Sequence, residues 1–188
     1  MEIGQFAAVR NGTTPRRNRE DYWGGGVPWL PTGRVNDRRI AAADQFITAT
    51  ALAECSLSLI PPGATLVAMV GEGQTRGKAA FLELEACINQ NFGAVIPDSS
   101  VDPVFLFFLL ESHYEGLRHW SQGTNQHALN CRLIASYRVR IPSLERQRTI
   151  ATVLTEADSA ANSAATRVAD ARSLFQATVR QLLTAEAA

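Results

Sequence analysis

A stretch with three glycines between two apolar segments, Gly71 to Lys78, holds the densest set of polar side chains suited to a charged ligand. Its spacing is not that of a nucleotide-binding loop: a P-loop would need Gly at position 72 and Ser or Thr at position 79, which are Glu and Ala. A dinucleotide fingerprint would need Gly77 one residue nearer to Gly73. We therefore expect a strand-to-strand loop that offers a polyanion four side chains: Gln74, Thr75, Arg76 and Lys78. The alternative is a plain β-hairpin whose glycines serve only the turn.

The remaining chemistry-bearing residues form no recognisable catalytic or metal-binding pattern. The three histidines, at positions 113, 119 and 127, have spacings unlike common zinc sites, so no metal is predicted. The three cysteines are far apart and form no Cys-x-x-Cys pair, which favours a reduced, cytoplasmic protein. The Gly-x-Ser-x-Gly elbow and the Asn/Asp-Pro-Pro-aromatic methyltransferase signature are both absent. Neither a signal peptide nor an apolar run of membrane-spanning length is evident.

The formal net charge is +0, but the charges are unevenly distributed. Residues 1–40 hold seven Arg against four acids, and residues 113–148 hold six Arg against two acids. We call these ranges the first and second basic segments. Residues 41–112 between them are acidic, with eight acids against two basic residues. Clustering of this kind predicts polyanion-binding surfaces that the net charge conceals.

The last forty-odd residues, 143–188, favour one continuous helix, because no Gly or Pro follows Leu144. Small and apolar residues recur there in two rows with a period of seven, the pattern of a coiled coil. One row is Ile150, Ala157, Ala164, Ala171 and Thr178, and the other is Leu154, Ala161, Val168, Phe175 and Leu182. We call these rows the heptad seam. A helix of about 40 residues, about 60 Å long, cannot bury this seam without a partner.

The 142 residues before this helix are enough for a separate domain, and we predict an α/β domain over residues 1–142 that carries the helix of residues 143–188. Residues 1–40 are interpreted as loop-rich, because the stretches 11–15 and 23–29 are typical of turns. Asp102 and Pro103 supply an N-cap and a first residue for an apolar core helix. The predicted elements are strands at 64–70, 78–84, 87–97 and 137–141, helices at 104–118 and 129–135, and a short helix followed by a strand within 46–60.

Several short segments, taken in order, resemble one half of the DNA-specificity subunit of type I restriction-modification systems. They are Gly12-Thr13-Thr14-Pro15, residues 22–29 with Thr32-Gly33, residues 60–68 running into Gly71, Asn89-Gln90, residues 123–126 with Leu129-Asn130, and residues 141–144 with Gln147, Ile150, Leu154 and Asp158. Ser143 and Arg146 depart from the Pro and Glu that are common in the family. The usual subunit has two recognition domains, each followed by a helix, whereas this chain has one of each.

The resemblance implies an α/β target-recognition domain that reads a short DNA sequence, and a helix that pairs antiparallel with its counterpart. It also implies a non-catalytic chain. The partners would be a methyltransferase subunit that uses S-adenosylmethionine and a nuclease-translocase subunit that uses ATP and Mg. The residues expected to contact DNA are Arg16, Arg17 and Arg34 at phosphates, Gln74, Thr75, Arg76 and Lys78 at bases, and Asn125 and Gln126 in a second loop. Tyr22, Trp23 and Trp29 are expected to cover the edge of the core rather than to stack on bases.

These features lead to the hypothesis of a homodimer through the heptad seam, with two recognition domains that read an inverted-repeat, bipartite site. A helix of about 60 Å limits the half-site centres to about 18 base pairs apart. Two alternatives remain at this point. One is an adaptor that does not bind DNA and dimerises through its coiled coil, and the other is an enzyme with a degenerate nucleotide loop at residues 71–78.

Overall fold

The computed structural model of the chain describes residues 1–71, 73–120 and 128–185, and at positions 182, 184 and 185 the backbone alone. It separates into two units, Met1–Arg148 and a second unit that begins at Thr149. No helix within the described residues has the length and apolar character needed to cross a membrane. The expected fold class, a domain of mixed sheet and helices followed by one long helix, is confirmed.

Strands and helices alternate irregularly along the described chain. The strands are β1 (Ala7–Asn11), β2 (Trp23–Leu30), β3 (Arg39–Ile40), β4 (Gln45–Ile47), β5 (Thr65–Ala68), β6 (Ala79–Leu82), β7 (Cys87–Ile88) and β8 (Phe92–Pro97). The helices are α1 (Ala49–Glu54), α2 (Pro103–Ser112), α3 (Tyr114–His119), α4 (Cys131–Ser136) and α5 (Leu144–Ala185).

The larger sheet has five strands in the order β1-β8-β5-β6-β3, with β3 parallel to β6 and all other neighbours antiparallel. All four residues of β5 and all four of β6 are buried, as expected for near-continuous apolar runs in the centre of a sheet. These two strands confirm the predictions at 64–70 and 78–84. The predicted strand at 87–97 is instead divided into β7 and β8, which belong to different sheets.

The smaller sheet has the order β4-β2-β7, and its central strand contradicts the expectation that residues 23–29 form a turn. The glycines here permit close packing against the neighbouring strand. A Cβ atom on Gly25 would lie 2.5 Å from the carbonyl oxygen of Ile47, so β2 approaches β4 more closely than a side chain would allow. The register also shifts between Trp23 and Val27, which marks a bulge.

Helix α2 is apolar on all faces and is largely buried, with Leu106, Phe107 and Leu110 fully inaccessible. It packs on β5, β6 and β8 of the larger sheet. Its predicted N-cap is confirmed, because the Asp102 carboxylate accepts a hydrogen bond of 2.9 Å from the Phe105 amide. The predicted helix at 104–118 is interrupted at His113, where α2 ends and α3 begins one residue later.

The predicted strand at 137–141 forms only an isolated bridge, in which Arg138 pairs with Glu2. The amino terminus of Met1 donates to the Val139 carbonyl at 2.8 Å, and the Val139 amide donates back to Met1 at 2.9 Å. These residues therefore run alongside the start of the chain without joining a sheet. The predicted short helix at 129–135 is confirmed as α4, which Asn130 caps through the amide of Leu133.

The first turn of α5 belongs to the Met1–Arg148 unit and contains a buried amide, Gln147, which is 1% exposed. Its Oε1 atom accepts a hydrogen bond of 2.8 Å from the amide of Asp102, the N-cap of α2. Its Nε2 atom donates to the carbonyl oxygens of Pro142 at 2.9 Å and Ser100 at 3.3 Å. One side chain thus satisfies three backbone groups where the two helices begin.

Gln147→Ala should lower the free energy of unfolding of the Met1–Arg148 unit by about 1–3 kcal/mol, because it leaves buried backbone groups without partners. Denaturant unfolding followed by tryptophan fluorescence measures this unit, since all three tryptophans lie in it. Gln176→Ala, at an exposed position of α5, is the matched control and should change the value by less than about 0.5 kcal/mol. Equal effects of the two substitutions would contradict the assigned role of Gln147.

Candidate nucleic-acid interface

The polar stretch singled out in the sequence connects β5 to β6, and we call residues 69–78 the β5–β6 loop. Its base is closed by backbone hydrogen bonds of 2.9 Å, from the Ala68 amide to the Lys78 carbonyl and from the Gly77 amide to the Ala68 carbonyl. Lys78 leads directly into a strand. Nucleotide loops place phosphate at the N-terminus of a following helix, so this connection argues against the degenerate nucleotide loop.

Helix α3 lies directly against the loop at Gly77. This glycine has a φ of +86°, which disfavours side chains with a Cβ atom. A Cβ atom here would also lie 2.9 Å from the Tyr114 carbonyl oxygen and 2.9 Å from the Arg118 amide nitrogen. The backbone of the loop and the backbone of α3 are therefore in close contact, and Gly77 permits that contact.

Two side chains of α3 hold carbonyl groups of the loop. The Tyr114 hydroxyl donates a hydrogen bond of 3.0 Å to the carbonyl oxygen of Gln74. The Arg118 guanidinium donates to the carbonyl oxygen of Arg76 over 3.4 Å, which is a longer and weaker contact. The loop is thus supported along one side by a helix that lies about forty residues further on in the sequence.

The four loop residues predicted to contact DNA are brought together but differ in exposure. Gln74 is exposed, whereas Thr75, Arg76 and Lys78 are half-buried. The Lys78 ammonium group donates to the Asn36 side-chain oxygen at 2.9 Å, which links the loop to the 3-10 turn Thr32–Asp37. Gln74 is therefore the most accessible of the four side chains.

The loop, the 3-10 turn, α2 and α3 enclose an open cleft of about 570 Å³. Arg38 of the first basic segment and Arg118 of the second both line this cleft, together with Lys78. Arg38 also forms a salt bridge with Glu111, with nitrogen-to-oxygen distances of 2.5 and 2.9 Å. Two segments that are distant in sequence thus contribute cations to one surface.

Sequence reasoning did not identify the residues that surround the loop. Arg38 and Arg118 belong to the two basic segments, so the uneven charge distribution already contained a signal for them. Tyr114 and Asn36 gave no comparable signal, because their contacts with the loop cross about forty residues of sequence.

Arg17 and Arg16 lie at a different surface. The Arg17 guanidinium stacks 3.9 Å from the ring centre of Trp23 and donates to the Gln45 side-chain oxygen at 2.9 Å. Arg16 is exposed beside it, and its carbonyl oxygen accepts a hydrogen bond from the indole of Trp23. Trp29 is 1% exposed and packs edge-on against Trp23 at 5.2 Å, as expected for aromatic residues that cover the core.

Arg34 is engaged in contacts within the domain. Its guanidinium forms salt bridges with Asp37, at 2.6 Å, and with Asp44, and it donates to the Ala42 carbonyl at 2.9 Å. The hydrogen bond to Asp44 raises the pKa of Arg34 above its usual range, although burial acts in the opposite direction. This arginine cross-links residues 34–44, and its charge is compensated there.

The remaining predicted DNA contacts are those of the second loop. Asn125 and Gln126 lie outside the described residues, as does His127. Among the parts of the chain that the structure describes, no group of three or more His, Cys, Asp or Glu side chains is arranged to hold a metal ion. Burial raises the pKa of the Cys87 thiol to about 11 and raises that of Cys131, so both remain protonated at neutral pH.

Gly77→Ala should destabilise the Met1–Arg148 unit by about 1–3 kcal/mol, because the new methyl group meets the backbone of α3 and the positive φ is strained. Gly73→Ala in the same loop is the matched control. A Cβ atom at Gly73 meets nothing within 4 Å, so its effect should be within about 0.5 kcal/mol. Denaturant unfolding of both variants tests the contact, and equal stabilities would contradict it.

Comparison with known proteins places the chain in a family. Residues 1–167 match the family described as Type I restriction modification DNA specificity domain. Over 162 residues the chain is 30% identical to the type I restriction enzyme MjaIX specificity subunit of Methanocaldococcus jannaschii, covering 84% of this chain and 37% of that subunit. It is 23% identical over 167 residues to a type I restriction enzyme specificity subunit of Escherichia coli, covering 86% of this chain and 41% of that one.

The fold agrees with this assignment. The crystal structure of the HsdS subunit from Thermoanaerobacter tengcongensis matches with a TM-score of 0.65 at 18% identity, over 85% of this chain and 36% of that chain. The chain therefore spans well under half the length of the specificity subunits it resembles. From the match over residues 1–167, the chain belongs to the family of type I restriction-modification DNA specificity domains.

Proposed function

We propose that this chain is a DNA-specificity subunit that reads a short sequence and directs a DNA methyltransferase to it. The observation that carries the proposal is the β5–β6 loop, which presents Gln74 and its polar neighbours beside a cleft. Lys78, Arg118 and the Glu111-paired Arg38 line this cleft together with Glu111 and Glu115. Family membership favours this interpretation over the adaptor hypothesis.

The loop residues and the basic residues have different roles in this proposal. Amide and hydroxyl groups such as those of Gln74 and Thr75 hydrogen-bond to base edges, and the charges of Arg76 and Lys78 act at guanine edges or phosphates. The exposed Arg16 and the neighbouring Arg17 contact the DNA backbone at a second surface. Asn125 and Gln126 remain predicted contacts from the sequence. We do not include Arg34, because its guanidinium is already engaged by two carboxylates.

Catalysis belongs to the partner subunits in this proposal. A methyltransferase subunit supplies the S-adenosylmethionine chemistry, and a restriction subunit, where one is present, supplies the ATP- and Mg-dependent chemistry. The thiol of Cys87 is buried and that of Cys131 is half-buried, and both are protonated at neutral pH, so neither is suited to act as a nucleophile. The chain acts on DNA in the cytoplasm, where three free cysteines are stable.

Dimerisation through α5 completes the proposal. Beyond the buried Ala151, several large apolar side chains of the helix are exposed, and in the heptad seam Val168 is 53% exposed and Phe175 is 69% exposed. Leu174 at 70% lies beside the seam and widens the apolar stripe. A second copy of the helix, packed antiparallel along the small residues at 157, 164 and 171, would cover this stripe.

Ala164→Leu should weaken self-association of the full chain, because the larger side chain overpacks the closest approach of the two helices. Ala169→Leu adds the same side chain outside the seam, about 140° around the helix from Ala164, and is the matched control. Sedimentation velocity across a concentration series should show a dissociation constant raised about tenfold or more for the first variant and unchanged for the control. If the Ala164→Leu variant self-associates as strongly as the wild type, the assigned seam is wrong.

The proposed function is tested by expressing the host's methyltransferase subunit with and without this chain and sequencing the methylated adenines. We expect methylation at one bipartite motif with inverted-repeat halves, and we expect that methylation to disappear when the chain is omitted. Adenine methylation that is the same in both cases would contradict the proposal.

A further inference from the structure

We infer that Tyr114 is a positioning residue that holds the β5–β6 loop in the shape required to discriminate between DNA sequences, with Arg118 in a supporting role. The inference rests on the proposed function and assigns these two residues of α3 a part in it. Neither residue needs to contact DNA for this role.

Both side chains bind backbone groups of the loop. Tyr114 donates to the Gln74 carbonyl at 3.0 Å, and Arg118 approaches the Arg76 carbonyl at 3.4 Å. A contact with a carbonyl oxygen acts on the path of the chain, whatever side chain the residue carries. The residues that shape the loop are therefore distinct from the side chains that the loop presents.

Helix α3 supports the loop from its base to Gln74, whose side chain is exposed. Gly77 packs on the backbone of α3 close to the loop base, and the Tyr114 hydroxyl holds the loop three residues earlier, at Gln74. Helix α3 is anchored in the domain, because its Leu117 is fully buried and the indole of Trp120 at its C-terminal end donates to the Leu133 carbonyl at 3.1 Å. The Tyr114 hydroxyl thus extends that support to an exposed part of the loop.

The discrimination between bases depends on how closely the loop is held in position. Hydrogen bonds to base edges require donors and acceptors to be held within a fraction of an ångström, so a loop without support makes them less well. The correct sequence then loses the most affinity, since it alone forms the full set of hydrogen bonds. A mismatched sequence loses less affinity, so the ratio of the two affinities falls.

The test uses the full chain with its methyltransferase subunit and compares Tyr114→Phe with the wild type. The measured quantity is the ratio of methylation rates at the recognised motif and at sites with one mismatched base pair. We expect this ratio to fall about three- to tenfold, the size of one lost hydrogen bond. Tyr22→Phe is the matched control, because it removes a hydrogen bond of 2.7 Å to Glu54 away from the loop, and it should leave the ratio unchanged.

Gln74→Ala separates reading from positioning. It removes a predicted base contact and should relax the preference at one position of the motif, whereas Tyr114→Phe should relax several positions at once. Thermal unfolding of each variant completes the comparison, and the midpoint of Tyr114→Phe should stay within about 3 °C of the wild type, as expected for an exposed hydrogen bond.

An unchanged ratio for Tyr114→Phe would overturn the inference while leaving the proposed function intact. A ratio lowered to the same extent by Tyr22→Phe would also overturn it, because the effect would then follow general stability. If the wild-type chain directs no motif-specific methylation at all, the proposed function fails, and this inference fails with it.

Discussion

The burial of α2 is the constraint on which most of the domain depends. Because this helix is apolar all round, it is stable only where sheet and loops cover it, and its packing on β5, β6 and β8 provides that cover. At its N-terminus the Asp102 backbone bonds to Gln147 in the first turn of α5. At its C-terminus α3 follows directly and supports the β5–β6 loop through Gly77 and Tyr114. The element with the least polar sequence therefore positions the candidate interface.

The predictable parts of the fold were those with local signals. The N-cap Asp102, the following Pro103, and the apolar runs of β5 and β6 depend on neighbouring residues, and each was predicted correctly. The glycines of β2 predict a turn, and this prediction is wrong, because glycine at position 25 makes room for the backbone of β4, twenty-two residues later. Sequence spacing cannot reveal an approach between two strands whose pairing is not yet known.

The candidate site also combines features that the sequence predicts with contacts that it does not. Composition and spacing picked out the polar loop residues and the two basic segments, and the structure brings Lys78, Arg38 and Arg118 to one cleft. The support from Tyr114 was not predictable, since it joins positions forty residues apart through a carbonyl group that every residue has. Arg34 illustrates the opposite error, because its charge suggested a phosphate contact while Asp37 and Asp44 hold it within the domain. A count of cations does not distinguish those that are already paired.

In the proposed dimer, we infer that the length of α5 sets the distance between the two recognition units. The most direct measurement inserts a second copy of residues 164–170 after Asp170, which preserves the seven-residue period and lengthens each helix by about 10.5 Å. The methylated motif of this variant, determined with the full chain and its methyltransferase subunit, should keep both half-sites. Its spacer should be longer by about three base pairs. An unchanged spacer in a variant that still dimerises and still directs methylation would contradict the account.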